Sequence, residues 1–315
     1  MKRSNNSRRR AGFTLFELVV VLAILAVVTT LAIRSLDGLE DQSRYEKNVR
    51  GFEELSAAVL GTPDDRAADG TRTVSGFVAD MGRLPKAVAD GNGNLTLAEL
   101  WLSPGTTPEE KENFKFNVRQ AIANNCTPDI LADSEVVVPG GWRGPYLRLS
   151  LGPANWLDGW GNPMSLEINA VQEILKIRHL GANGVPNEED TRYDKDGEID
   201  LSTGIGVTLS GQITLLDGYS PDPPRAGDTV TICVFGPDPE PENAGKISVL
   251  KFGPIAFTNN VAIWQILGAT IGPRVVRAYL NVPTGSPTAT ALKKSTVKHL
   301  TLRPGVNLVN LTIDR

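Results

Sequence analysis

An α+β fold class is predicted: a long N-terminal helix packed on an antiparallel sheet, followed by an all-β sandwich. Three observations predict it. Apolar residues run without a charge from Leu18 to Ile33, then give way to a stripe at three- and four-residue spacing, the period of a helix with one buried face. Two short apolar segments, LEI and ILKIRHLG, sit among Gly- and Pro-rich turns in the middle of the chain. After Gly206 come VTLSGQITLL, DTVTICVF, KISVLKF, VAIWQIL, RVVRAYLNV, TVKHLTL and VNLVNLTI. Short apolar runs punctuated this closely by Gly and Pro read as the strands of a sandwich.

The opening residues carry the most specific information. Lys2, Arg3, Arg8, Arg9 and Arg10 precede the apolar run with no acid among them. With Phe13, Leu15 and Phe16 added upstream, the run reaches the roughly 20 residues of a membrane-spanning helix. The basic cluster holds its start in the cytoplasm by the positive-inside rule, so the chain beyond Arg34 is expected on the far side. Two ordinary readings are a signal peptide cut after Thr30-Leu31-Ala32 and a plain signal anchor. Neither explains Glu17, because a carboxylate beside an otherwise uncharged apolar segment is costly without a partner. A cut between Gly12 and Phe13 would supply one. It creates an α-amino group four residues before Glu17, at a helix start where unsatisfied N–H groups and the dipole also favour negative charge.

The segment Arg8–Glu17, RRRAGFTLFE, resembles the leader and cleavage site of type IV prepilins. The resemblance implies that a prepilin peptidase cuts after Gly12 and methylates Phe13, and that Glu17 is the assembly glutamate. It implies other pilin or pseudopilin subunits, an inner-membrane assembly platform and membrane lipid as partners. The expected location is the bacterial inner membrane, single-pass, with the later domains in the periplasm and a fibre assembled outside. The segmentation is then a leader at 1–12, a helix at 13–61 spanning the membrane at about 13–33, a globular head at 62–205 and a β-sandwich at 206–315. Many members carry a proline near the end of the apolar run. Here that region reads LAIRSLDG, and Gly38 is the residue able to loosen the helix.

Beyond the membrane, Leu36, Leu39, Val49, Phe52, Leu55 and Val59 form the apolar stripe, and Gly61-Thr62-Pro63 ends the helix. Residues 62–80 read mainly as loop. Short elements are expected at 76–85 and 95–102, joined by the turn Asp90–Asn94. That turn is not an EF-hand loop, because counting from Asp90 puts Leu95 sixth and Trp101 twelfth where Gly and Glu are needed. Residues 108–125 read as a surface helix with acids near its start.

GGWRGPYL at 140–147 and WLDGWGNPM at 156–164 read locally as Gly-Pro turns with aromatic anchors. Trp142, Gly144, Pro145, Tyr146, Asp158, Trp160, Gly161, Asn162 and Pro163 resemble the head of the major pseudopilin of type II secretion systems, with Met164 in place of the usual aromatic. Their expected work is packing. The loop LGANGVPNEEDTRYDKDGEID at 180–200 concentrates acids and amides, oxygen donors that suit Ca²⁺. The resemblance implies calcium here, with the Leu180 carbonyl and the side chains of Asn183, Asp194, Asp196 and Asp200 as candidates. Asn183 stands where Asp is usual, and the loop is longer than usual.

Composition excludes more than it assigns. Net charge is −4, and once the five early basic residues are set aside the remainder is distinctly acidic. Nucleic acid is therefore not an expected partner. Cys126 and Cys233 are the only cysteines, and their spacing does not decide whether they pair. The only histidines, His179 and His299, lie outside any metal or catalytic spacing, and no nucleophile elbow or phosphate loop is present. No enzyme is expected. The leading reading is a structural pilin-like subunit; the alternative is a pilin-anchored, calcium-dependent adhesin or binding protein.

Overall fold

The computed structural model describes residues 14–62, 74–91, 93–121, 133–147, 157–186, 193–216, 228–238, 246–281 and 294–314. The chain opens with α1 (Leu15–Leu60), one unbroken helix of 46 residues, about 70 Å long at the standard rise. Gly38 does not interrupt it. The helix stops at Gly61, whose N–H donates to the Ala57 carbonyl at 2.9 Å and whose φ of 81° suits glycine.

The stripe foreseen on its outer half packs only near its end. Leu55 and Val59 are fully buried and Phe52 is half-buried, whereas Leu39 and Val49 are exposed. Near Val49 the helix is instead covered by a polar turn. Asn48 is buried and its Oδ1 accepts the Gly159 N–H at 2.5 Å. A Cβ on Gly159 would lie 2.3 Å from the Arg44 carbonyl oxygen, so only glycine lets the two backbones meet.

The head is built from small pieces around the helix end. They are α2 (Phe77–Met81), β1 (Val88–Ala89), β2 (Leu95–Thr96), α3 (Pro108–Phe114), β3 (Asn117–Ala121) and β4 (Asp133–Gly140). An antiparallel sheet follows, ordered β5 (Ser165–Ile168), β6 (Ile174–His179), β7 (Gly197–Asp200). Its buried Ile174 and Ile177 join Leu55, Val59, Phe77 and Leu100 in one core. The helix foreseen over 108–125 ends at Phe114. It starts with a capping box between Thr107 and Glu110, but Lys115 turns extended and β3 pairs antiparallel with β4. Sheet pairing from a distant segment overrides the weak helical preference there.

The sandwich comprises β8 (Gly206–Leu216), β9 (Thr229–Pro237), β10 (Ile247–Ala256), β11 (Val261–Thr270), β12 (Gly272–Asn281), β13 (Lys298–Leu302), β14 (Gly305–Leu308) and β15 (Leu311–Asp314). One sheet runs β10-β9-β12-β13; the other runs β11-β8-β14, with β15 also pairing β8. The last apolar run splits in two, and both halves lie parallel to β8. Leu209, Ile213, Ile232, Val276 and Ile313 fill the space between the sheets, as alternating inward residues of aligned sheets do.

Head and sandwich share packing. Val136 and Val138 of β4 cover the outer face of the β9–β12 pair, against Phe235, Val275 and Tyr279. Both β9 and β12 are consequently buried on both faces. Gly272 abuts Ala79 of α2, where a Cβ would meet the carbonyl oxygen at 2.5 Å. Buried Arg274 donates to the carbonyls of Ile271 at 2.8 Å and Pro273 at 2.7 Å and to the Thr270 hydroxyl at 2.6 Å. Burial lowers its pKa to about 10, with nearby Asp80 acting in the opposite sense. Cys233 is disulfide-bonded, and Cys126, the one other cysteine, lies outside the described residues.

Candidate functional site

The start of α1 is organised by Thr14. This residue is the N-cap, with φ −72° and ψ 150°. The Glu17 carboxylate folds back onto it. Oε2 accepts the Thr14 N–H at 2.9 Å and the Thr14 hydroxyl at 2.9 Å, while the Glu17 N–H donates to Thr14 Oγ1 at 3.2 Å. This is a capping box, in which two otherwise unsatisfied donors are met reciprocally. The charge thus sits over the first turn, where the helix dipole favours it. Sequence reasoning singled out Glu17 and passed over Thr14, although the T-x-x-E spacing announces the box. Gly12 and Phe13 lie outside the described residues.

Leu15 to Leu31 are exposed all round. The two hydroxyls in this stretch are satisfied within the helix: Thr29 donates to the Leu25 carbonyl at 2.7 Å and Thr30 to that of Ala26 at 2.8 Å. The surface offered is therefore apolar in effect as well as in composition. Among the described residues no helix is long and apolar enough to cross a membrane. The span foreseen at 13–33 is thus not met there, because Phe13 lies outside and the described side chains stop at Leu31, short of the roughly 20 residues a bilayer needs.

The second candidate region, the acidic loop, is held to α1 by the Asp158 turn. Asp158 Oδ1 accepts the N–H groups of Trp160 at 2.9 Å and Asn162 at 2.8 Å, and Asn162 Nδ2 donates to the Gly181 carbonyl at 3.1 Å. His179 is buried beside Phe52 and Trp160, with ring centroids at 5.3 and 6.2 Å. Burial lowers its pKa, and Asp158 and Asp196 oppose that shift.

The five calcium candidates are spread over this region. Leu180 is half-buried at the end of β6. Asn183 Oδ1 accepts the Val185 N–H at 3.0 Å. Asp194 is buried and its carbonyl lies against Gly181. Asp196 lies on the His179 side. Asp200 Oδ1 accepts the Ser202 hydroxyl at 2.6 Å and N–H at 2.9 Å, and the hydroxyl bond is the main cause of its lowered pKa. Among the described residues, no three His, Cys, Asp or Glu side chains gather to hold a metal. Residues 187–192 of the loop lie outside the described residues.

The aromatic motif at 142–146 packs into the head. Trp142 Nε1 donates to the Glu99 carbonyl at 2.8 Å, and the Tyr146 hydroxyl donates to Asp80 Oδ2 at 2.9 Å. Arg143 reaches the other Asp80 oxygen at 3.2 Å. Burial pushes the Asp80 carboxyl up, and Arg143, Tyr146 and Arg274 pull it back. Beside it, the buried pair Arg83–Glu99 is bidentate at 2.7 and 2.8 Å.

No curated protein matches the chain at a significant level. Residues 7–33 match the family model of the prokaryotic N-terminal methylation motif. That match marks the start of the chain as a type IV pilin-type prepilin leader, the signature of cell-envelope subunits that a prepilin peptidase processes and that assemble with others of their kind.

Proposed function

We propose that this protein is a structural subunit, without enzymatic activity, of a type II secretion pseudopilus or a type IV pilus. The observation that carries this reading is the start of α1: a single carboxylate, fixed by Thr14 over the first helical turn, next to a helix surface apolar on every side. In this reading, cleavage after Gly12 creates an amine at Phe13, and Glu17 pairs with such an amine on its own or a neighbouring subunit. A buried charge then sets the register of packing, a well-attested use of such groups. Before assembly, α1 with Ala32 and Ile33 anchors the subunit in the inner membrane, with Arg8–Arg10 on the cytoplasmic side and the head and sandwich in the periplasm. The assembly platform and neighbouring subunits then replace lipid around the apolar half.

The 142–146 and 158–163 segments support a pseudopilin-like head, because both serve packing and turn formation. N-terminal mass spectrometry of the purified protein tests the reading. A methylated Phe13 terminus is expected, and a terminus at Met1, or one following Ala32, would overturn it.

Calcium at the 180–200 loop is proposed on composition and resemblance. A carboxylate or amide oxygen that already accepts a hydrogen bond keeps a lone pair for a cation, so Asp200 can ligate while it holds Ser202. A chelator is expected to lower the melting temperature, and an unchanged value would remove calcium while leaving the fibre reading intact.

A further inference from the structure

Cys233 sits in the contact between head and sandwich. Along β9 the side chains alternate: Val230, Ile232 and Val234 face the space between the sheets, whereas Cys233 and Phe235 face outward, under Val136 and Val138 of β4. Cys233 is fully buried there and is disulfide-bonded. Its partner therefore has to reach that outer face from the side of the head. Cys126 is the one other cysteine in the chain. It lies outside the described residues, on the connection between β3 and β4.

The register places the end of that connection over the right row. Arg277 of β12 is the cross-strand partner of Cys233, and its buried guanidinium pairs with Glu135 near the start of β4. The chain from Cys126 to Asp133 can extend over as much as about 25 Å, so a bridge to Cys233 is well within its reach.

We infer that Cys126 and Cys233 form a clasp that fastens the β3–β4 pair to the sandwich, closed by a disulfide-bearing oxidant after export. The pair needs fastening. Among the described residues it is a sheet of two strands, and an isolated two-stranded ribbon is marginal in water. Its described anchors on the sandwich are the Val136–Val138 patch and the ion pairs of Glu135 with Arg277 and Lys294. A bridge between residues so distant in sequence removes much of the freedom of the unfastened chain.

The exchange is balanced by the oxidant alone. One cysteine thiolate attacks the oxidant's disulfide, and the oxidant's other sulfur leaves as a thiolate. The second cysteine attacks the mixed disulfide and releases the first oxidant sulfur. Two electrons pass to the oxidant, and the two protons lost by the cysteines end on its thiols. Cys233 is sealed once β4 is in place, so closure precedes or accompanies the docking of β4. The finished bridge is then shielded from external thiols. The oxidising compartment rests on the proposed export, whereas the pairing rests on the fold.

The test uses the full-length protein in detergent, purified without reductant. Peptide mapping is expected to give a linked 126–233 peptide. Dithiothreitol should open it roughly tenfold more slowly in the native protein than in denaturant, because access limits exchange. In Cys126→Ser, the amides of Val136 and Val138 should exchange hydrogen about tenfold faster, with those of Leu209 and Ile213 unchanged. If that variant does not fold, Cys126→Ala with Cys233→Ala takes its place.

Free thiols in the mature protein, linkage of either cysteine to a second chain, equal opening rates, or unchanged exchange in β4 would overturn the clasp. Free thiols behind a methylated Phe13 terminus would do so while leaving the fibre reading intact. A 126–233 bridge in a chain that still begins at Met1 would keep the clasp and overturn the fibre reading.

Discussion

The two halves of α1 form one continuous helix in two kinds of surroundings. From Leu15 to Leu31 every residue is exposed, although nearly all are apolar. Near the other end, Leu55 and Val59 are fully buried against the head core and Asn48 is sealed under the Asp158 turn. Among the described residues, the chain supplies apolar cover for the outer half and none for the inner half. Burial of a helix apolar all round has to come from lipid or from other chains. On the proposed function, the inner half is an assembly element and the outer half a folding element.

Mutations in the two halves should separate assembly from folding. The largest effect is expected for Glu17→Ala. Losing one partner of a buried charge pair costs about 3 kcal/mol or more, roughly a hundredfold in each subunit contact. Leader removal should proceed, but the protein should stay in the membrane fraction and be missing from sheared fibres. Normal fibre incorporation would remove the distinction between the halves.

Leu55→Ala tests the other half. It should lower unfolding stability by about 3 kcal/mol, whereas Leu22→Ala, on the bare surface, should stay within about 0.5 kcal/mol. Chemical denaturation of both variants in detergent checks this, and equal losses would contradict the division.

A smaller effect is expected for Thr14→Val, which removes the cap hydroxyl but keeps the backbone donor to Glu17. A cap of this kind contributes about 1 kcal/mol, so fibre yield should fall several-fold without any change in head stability.

The smallest effect is a pH dependence confined to the folding half. Burial beside Phe52 and Trp160 lowers the His179 pKa from 6.5. The unfolded chain therefore takes up a proton that the folded one resists as pH falls through that value. This contribution is full above pH 6.5 and is lost on acidification. Melting temperatures on either side of that pH should show the decline, and His179→Gln should flatten it.

Much of this could be read from residues close together in the chain. RRRAGFTLFE specified the leader, and the strands after Gly206 were marked by alternating apolar residues between turn formers. The capping box was equally legible from T-x-x-E, because its partners are three residues apart. Signals failed where the partner is distant. Leu39 and Val49 continue the apolar stripe of α1 but are exposed, since the head turn that meets this stretch docks on Asp41 and Asn48 instead. Residues 117–121 have a helical composition but pair with β4.

The sequence by itself determined the processing signal, the N-terminal helix and the β character of the last third. Each depends on composition and short-range periodicity, which act over one or two turns of chain. Only the tertiary structure decided that β4 covers one face of the sandwich while the opposite face is exposed among the described residues, and that Arg274 and Gly272 join the sandwich to α2. Those outcomes depend on which surfaces meet after folding, and that meeting is a property of shape and mutual burial, not of any local run of residues.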